Sequence, residues 1–351
     1  MCASPVKELS LWTSGSDGYH TYRIPSLIVT TQGTLLAFCE GRKTSASDHG
    51  DVDLLMKRSV DGGHTWSSQS IVHEEGGTAK VTIGNPCPVV DRDTGTIWLP
   101  FTRDNKRVLV TSSVDDGRTW ATPRDISTTA VPADWTWVAT GPGVGIQLAQ
   151  EPFASRLVIP CDHRSSQSSG EKESYSHMMF SDDHGASWQI GQPIELGGNE
   201  CQVVELDDGR LLVNTRMQNH FTGLRGVATS GDQGISWTPI SHDPQLPCPR
   251  CQASLIKIGP KTLLLSNPNP GHTTSGKDKG ARIDLTIRFS QDDGTSWPVA
   301  KRLKEGPAAY SCLAYLGDGT ILCLYETGTT QYRETLTLAR FDLDWLKTGN
   351  P

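Results

Sequence analysis

The sequence predicts an all-β protein, a six-bladed β-propeller of four-stranded antiparallel blades. Three observations point there. An eight-residue phrase, Ser-x-Asp-x-Gly-x-Ser/Thr-Trp, occurs five times, at 59–66, 113–120, 181–188, 230–237 and 290–297. A strand-like run precedes every copy, and no segment reads as a helix longer than a turn or two. The intervals of 54, 68, 49 and 60 residues are too regular for chance and too variable for a tight solenoid. The phrase itself encodes a hairpin turn. Its Asp can accept backbone N–H groups, its Gly can take a positive φ, and its Trp can fold back over the tip. Five identical turns imply one repeated supersecondary unit.

The elements follow in order. Runs at 53–58, 107–112, 176–180, 224–229 and 285–289 lead into the turns, and a sixth run at 335–341 lacks one. Upstream of each lies a turn followed by an apolar strand, as in Gln32-Gly33-Thr34-Leu35-Leu36 and Asp318-Gly319-Thr320-Ile321-Leu322. Another short strand precedes each of these, at 23–29, 85–90, 143–148, 200–205, 252–258 and 310–316. With a fourth strand after each turn, that makes six units. The segment near 9–12 is expected to complete the last blade and close the ring. Residues 1–351 read as one catalytic domain, with about 19–345 forming the blades, and 165–173 reads as a polar, mobile loop.

Composition narrows the function classes. The net charge is −7 and no Lys/Arg block exists, which excludes obvious nucleic-acid or anionic-membrane partners. No apolar stretch reaches the roughly 20 residues of a membrane helix. The first residues carry no apolar core of a signal peptide, so the chain as it stands reads as cytoplasmic, or as secreted if a leader was removed. The nine cysteines are odd in number and mostly sit in apolar runs, so they read as small buried hydrophobes. Cys248 and Cys251 have a metal-like spacing without a second pair. The histidines, His20, His49, His163, His177, His220, His242 and His272 among them, are scattered and read as loop or rim residues rather than ligands.

Antiparallel blades also predict which residues share a face. Starts of first strands, ends of second strands and starts of third strands lie together, opposite the Asp turns. That face receives Arg23, Asn85, Glu200 and Tyr310, then Glu40, Arg42, Arg103, Arg164, Arg216 and Glu326, then Arg282. One such Arg alone is more simply a rim charge or a structural ion-pair partner. Several on different blades suggest a pocket for a small carboxylate, because the planar guanidinium matches a carboxylate bidentately. Trp135 and Trp137 read either as a hydrophobic wall of that pocket or as packing residues.

These residues carry a resemblance. Tyr22-Arg23-Ile24-Pro25, the repeated Asp turns, Asn199-Glu200-Cys201-Gln202 and Ala308-Ala309-Tyr310-Ser311 together resemble the exo-α-sialidase (neuraminidase) family, over about Tyr19 to Trp345. The resemblance implies that Arg23, Arg216 and Arg282 grip a sialic acid carboxylate and that Glu326 braces Arg23. It implies Arg42 near the C4 side of the sugar and Asn85 lining the pocket. Asp48 would be the general acid/base, with Asp51 as the alternative, Tyr310 the nucleophile and Glu200 its base. Some relatives carry aromatic residues where this chain has Cys161-Asp162-His163-Arg164. The implied partners are sialylated glycoproteins, glycolipids and oligosaccharides, the implied state is a monomer, and no cofactor or metal is called for. The chemistry is coherent without the family. A carboxylate nucleophile would be repelled by the substrate's own carboxylate, which a phenol avoids, and a phenol of pKa near 10 needs an adjacent base. A transferase using the same residues, and a non-catalytic sialic acid-binding propeller, are the rival readings.

Overall fold

In the computed structural model, which describes residues 5–166, 172–219, 222–271 and 280–348, the five copies of the phrase fold alike. In the first, Asp61 Oδ1 accepts from Thr65 N at 2.9 Å and from Ser59 Oγ at 2.8 Å, Oδ2 accepts from Thr65 Oγ1 at 2.6 Å, and Ser59 Oγ accepts from Gly63 N at 2.9 Å. The glycine is left-handed, as expected. So is the residue before it in every copy: Gly62, Asp116, His184, Gln233 and Asp293. Two consecutive positive-φ residues give the twist that a tight hairpin needs. The glycines serve a second purpose. A Cβ on Gly117 would lie 2.6 Å from Leu36 of the preceding unit, and one on Gly63 would lie 3.3 Å from Leu338. The turns therefore also seat each unit on its neighbour.

The strands of the described residues form five hydrogen-bonded sheets, one of them with seven strands. That large sheet divides at its long strand Val299–Tyr315. Residues 299–307 of this strand pair with Ile283–Ser290, and residues 308–315 pair with Thr320–Thr327. Divided there, the described strands form six units in a propeller arrangement, four of them four-stranded and two with a fifth short strand. The first unit is Thr21–Val29, Leu35–Arg42, Val52–Ser59 and Ser70–His73. The last runs from the end of Val299–Tyr315 through Thr320–Thr327 and Thr335–Asp342 to Lys7–Thr13. The N-terminal strand pairs antiparallel with Thr335–Asp342 and closes the ring, as expected. A cavity of about 720 Å³ on the axis is lined by Val29, Val90, Gln147, Glu205, Lys257 and Tyr315, one from the inner strand or strand end of each unit. Apolar clusters fill the spaces between units, and each turn Trp packs into one of them.

Several expectations change in detail. The inner strand expected at 85–90 is broken into Ile83–Gly84 and Val89–Val90, with left-handed Asn85 between them. Strand Trp135–Thr140 was not anticipated; it pairs with Leu157–Ser166 at its pocket end. The ends of the expected polar loop are strand, since Ser166 pairs with Lys172, and its middle lies outside the described residues, as do His220 and His272. His163 and His177 are not rim residues. They are buried on adjacent strands with Nδ1 atoms 3.0 Å apart, and Trp135 stacks on His163 at 3.6 Å. Burial holds both imidazoles neutral, His163 down to about 3. The eight described cysteines are all buried and free. No helix among the described residues is long and apolar enough to cross a membrane.

Candidate active site

The strand geometry delivers the expected charges to one cavity of about 600 Å³, lined by Arg23, Glu40, Arg42, Asp48, Asn85, Arg164, Glu200, Arg216, Arg282 and Tyr310 among others. Arg103 is the exception. Its Nε meets Glu75 at 2.6 Å and it does not line the cavity. Glu326 lies just beneath, fully buried.

Arg23 reaches the cavity through a strained backbone. The strand bulges between Arg23 and Ser26, and Ile24 has φ +61, an unfavourable place for a β-branched residue. Glu326 holds that conformation. Its Oε1 accepts from Arg23 Nε at 2.9 Å and from Ile24 N at 3.1 Å, and its Oε2 accepts from Arg23 Nη2 at 3.0 Å. One carboxylate thus fixes both the guanidinium and the peptide that aims it.

Tyr310 stands just past the point where its strand passes from one unit to the next. Its ring lies under two arginines, 4.9 Å from Arg23 Cζ and 5.4 Å from Arg282 Cζ. Its hydroxyl donates to Glu200 Oε1 and accepts from Arg216 Nη1 at 3.2 Å. Arg216 Nη1 also meets Glu200 Oε2 at 2.7 Å. Burial and the adjacent Glu200 carboxylate push the phenol well above its ordinary value, against the pull of the three arginines, so it is protonated and points its proton at Glu200. The arrangement can take a proton from the phenol as the oxygen forms a new bond.

Across the cavity, Asp48 sits on a loop, with its side chain 73% exposed. Its Oδ1 pairs with Arg42 Nη1 at 2.8 Å and with Arg23 Nη1 at 3.3 Å. Partial burial pushes its carboxyl up, but the charges of Arg42 and Arg23 outweigh this and hold it below the ordinary range. Arg42 is oriented by Glu40, with Nη2 to Oε2 at 2.7 Å, and Glu40 also accepts from Asn85 N at 3.0 Å. Asp51, the alternative to Asp48, is buried and pairs with Lys43 at 3.3 Å, and it does not line the cavity. The two tryptophans divide the roles left open for them. Trp137 lines the cavity with Arg164 4.7 Å over its ring, while Trp135 packs on His163.

Sequence reasoning missed the roles of four residues. Tyr332 and Arg333 line the cavity from the turn before Thr335–Asp342, and Arg250 from the approach to Ser254–Gly259. The rule that gathered the other residues covers these positions too, since they precede a third strand and a first strand. Asp162 is different. It is fully buried, meets Asn199, and is pushed well above the ordinary carboxylate range by burial and by nearby Glu200. Only the packing shows that it is a neutral acid behind the site. Cys248 and Cys251 do not form a metal cluster with any third ligand among the described residues. One group of metal-ligand type is described, Asp91, Asp93 and His184. It lies at a turn and is tied together by Gln147, whose Nε2 donates to both carboxylates.

Comparison with known proteins decides the family. Residues 33–324 match a model described as a BNR repeat-like domain. Sialidase-4 of Homo sapiens is 32% identical, with 92% of this chain and 90% of that protein covered. The chain belongs to the sialidase family. A sialidase of Micromonospora viridifaciens is 36% identical across 97% of this chain, and the chain spans only about half of that protein, 54% of its length. Among solved structures, the Hadza microbial sialidase Hz136 superposes with a TM-score of 0.84 at 29% identity, covering 97% of this chain and 69% of the other.

Proposed function

We propose that the chain is a retaining exo-α-sialidase that removes terminal α-linked sialic acids from glycoconjugates as one catalytic propeller domain, acting as a monomer. The observation that carries this reading is the Tyr310 hydroxyl donating to Glu200 under Arg23, Arg216 and Arg282. Three guanidiniums on separate units suit the substrate carboxylate, and they replace its hydration with fixed donors. That carboxylate competes with Asp48 for Arg23. Losing this partner raises the Asp48 carboxyl and favours its protonated form.

The reaction then balances in two steps. Tyr310 oxygen attacks the anomeric carbon while its proton passes to Glu200 Oε1. The glycosidic C–O bond breaks, and Asp48 delivers its proton to the departing oxygen. In the second step water attacks the same carbon and gives its proton to Asp48. Tyr310 leaves and recovers its proton from Glu200. Two inversions give net retention. Arg42 and Asn85 border the sugar, with Glu40 positioning both.

The test is release of sialic acid from an α-sialoside, with the anomeric configuration of the first product followed by NMR. An α-anomer formed first supports the double displacement, and a β-anomer formed first overturns it. A sialic acid joined to another sugar in place of the free acid would move the chain to the transferase reading. Binding without turnover would move it to the non-catalytic one.

A further inference from the structure

Among the described residues, seven arginines line the cavity, against three carboxylates, Glu40, Asp48 and Glu200. Arg23, Arg216 and Arg282 answer one substrate carboxylate, and Arg42 is paired with Glu40 and Asp48. Arg333 is not among these four, and it is displayed with unusual care. Arg333 sits in the turn 328–334, which Glu334 ties into a knot. Glu334 Oε1 accepts from Thr330 N and Gln331 N, both at 2.9 Å, and Oε2 accepts from Thr329 N at 2.8 Å and Thr329 Oγ1 at 3.0 Å. Ser14 pins the turn from outside, with Oγ donating to Arg333 O at 2.7 Å and N donating to Glu334 O at 2.9 Å.

The knot presents two side chains inward. The Tyr332 ring stands 5.8 Å from Arg23 Cζ, 5.5 Å from Arg282 Cζ and 5.0 Å from Arg333 Cζ, so it separates Arg333 from the carboxylate-gripping arginines. Arg333 Nε is buried and has no hydrogen-bond partner among the described residues. Asp48 Oδ1 lies 3.3 Å from Arg23 Nη1 and the Tyr332 ring stands over the same guanidinium, so Arg333 lines the cavity by the group that would protonate the glycosidic oxygen. An Arg held beyond the sugar's own carboxylate, on the leaving-group side, suits a second anion there.

We propose that Tyr332 and Arg333 form an aglycone subsite for an anionic group, so that glycans acidic next to the scissile bond are favoured substrates. The anion is a carboxylate of a second sialic acid or a sulfate ester on the penultimate sugar. This rests on the sialidase reading above.

The experiment compares kcat/KM for the native chain, Arg333→Gln and Arg333→Lys on three substrates. These are α2,3-sialyllactose, the same trisaccharide sulfated on galactose, and the α2,8-linked sialic acid dimer. The native chain should favour at least one acidic substrate, and Arg333→Gln should lower the ratio of its kcat/KM to that of the neutral substrate about tenfold, with partial rescue in Arg333→Lys. A loss confined to the sulfated or to the dimeric substrate identifies which anion the subsite takes. Activity on the neutral substrate with no preference, or an equal loss on all three, overturns the subsite and leaves the sialidase reading standing. No turnover of any substrate by the native chain overturns both.

Discussion

On one face of the ring Asp183 takes its hydrogen bonds from Ser181 and Ser187, two and four residues away. On the other face Glu326 takes its hydrogen bonds from Arg23, 303 residues away. Both carboxylates organise backbone around themselves, yet they differ in the range of their partners. The Asp turns are answered by hydroxyls and N–H groups of their own hairpin, so each can form as soon as that hairpin does. The pocket carboxylates Glu40, Glu200 and Glu326 are answered mainly by arginines, and for Glu200 and Glu326 these pairings link different strands or units. The contrast teaches that one face is built by repetition and the other by contacts between strands and units. Damage to the first should therefore be felt as lost stability alone, and damage to the second as lost chemistry, joined by lost stability where a buried charge loses its partner.

The largest expected effect tests the chemical face at its centre. Tyr310→Phe removes the hydroxyl that Glu200 and Arg216 hold, and leaves the ring under Arg23 and Arg282. A drop in kcat of about 10³-fold or more is expected, with an unchanged melting temperature. Turnover close to native would show that the two faces do not divide in this way. Glu326→Gln is the next largest. It leaves Arg23 buried without its counter-charge and loosens the acceptor of Ile24 N. The expected loss in kcat/KM is about 10²-fold, accompanied by destabilisation of up to about 3–5 kcal/mol in chemical denaturation. An activity loss without a stability loss would mean that Glu326 only aims Arg23.

The same contrast explains what could be read in the sequence. The turns were legible because their partners lie within four residues and recur five times, and the strands flanking them follow from that. Arg23, Arg42, Asn85, Glu200, Arg216, Arg282 and Tyr310 could be assigned to one face from strand direction, and their roles came from a family resemblance rather than from spacing. What remained illegible depends on packing. Arg103 has the right position in its strand but turns to Glu75. His163 and His177 looked like rim residues because nothing in a sequence says that two imidazoles will be buried against each other. The tether of Glu334 was readable in principle, since its partners lie three to five residues away, but it occurs once and so offered no repeat to notice.

Stability of the repeated face can be probed through a glycine. Gly117→Ala forces a Cβ into a left-handed residue and against Leu36 of the neighbouring unit. A loss of about 1–3 kcal/mol is expected, read as a lower melting temperature, with kcat/KM per folded molecule unchanged. Gly33→Ala is the control. Its φ is +78 with open space around the added Cβ, so only the backbone cost remains and the loss should be smaller. Equal losses would show that the approach between units contributes nothing.

The smallest effect is a shift in pH rather than a loss. In the free site Asp48 is held below the ordinary carboxylate range, first by Arg42 and then by Arg23, against partial burial that pushes it up. A general acid must carry its proton, so kcat/KM on a sialyllactose should fall as pH rises through the Asp48 value. Arg42→Gln removes a positive charge, which raises that value and moves the alkaline limb upward by about one unit. The amplitude will also drop, because Arg42 lines the cavity, but the position of the limb does not depend on amplitude. An aryl sialoside, whose leaving group departs without a proton, should show no such movement. A limb that stays in place for sialyllactose, or that moves equally for the aryl substrate, would remove Asp48 from the acid role and break the division between the two faces at its most exposed carboxylate.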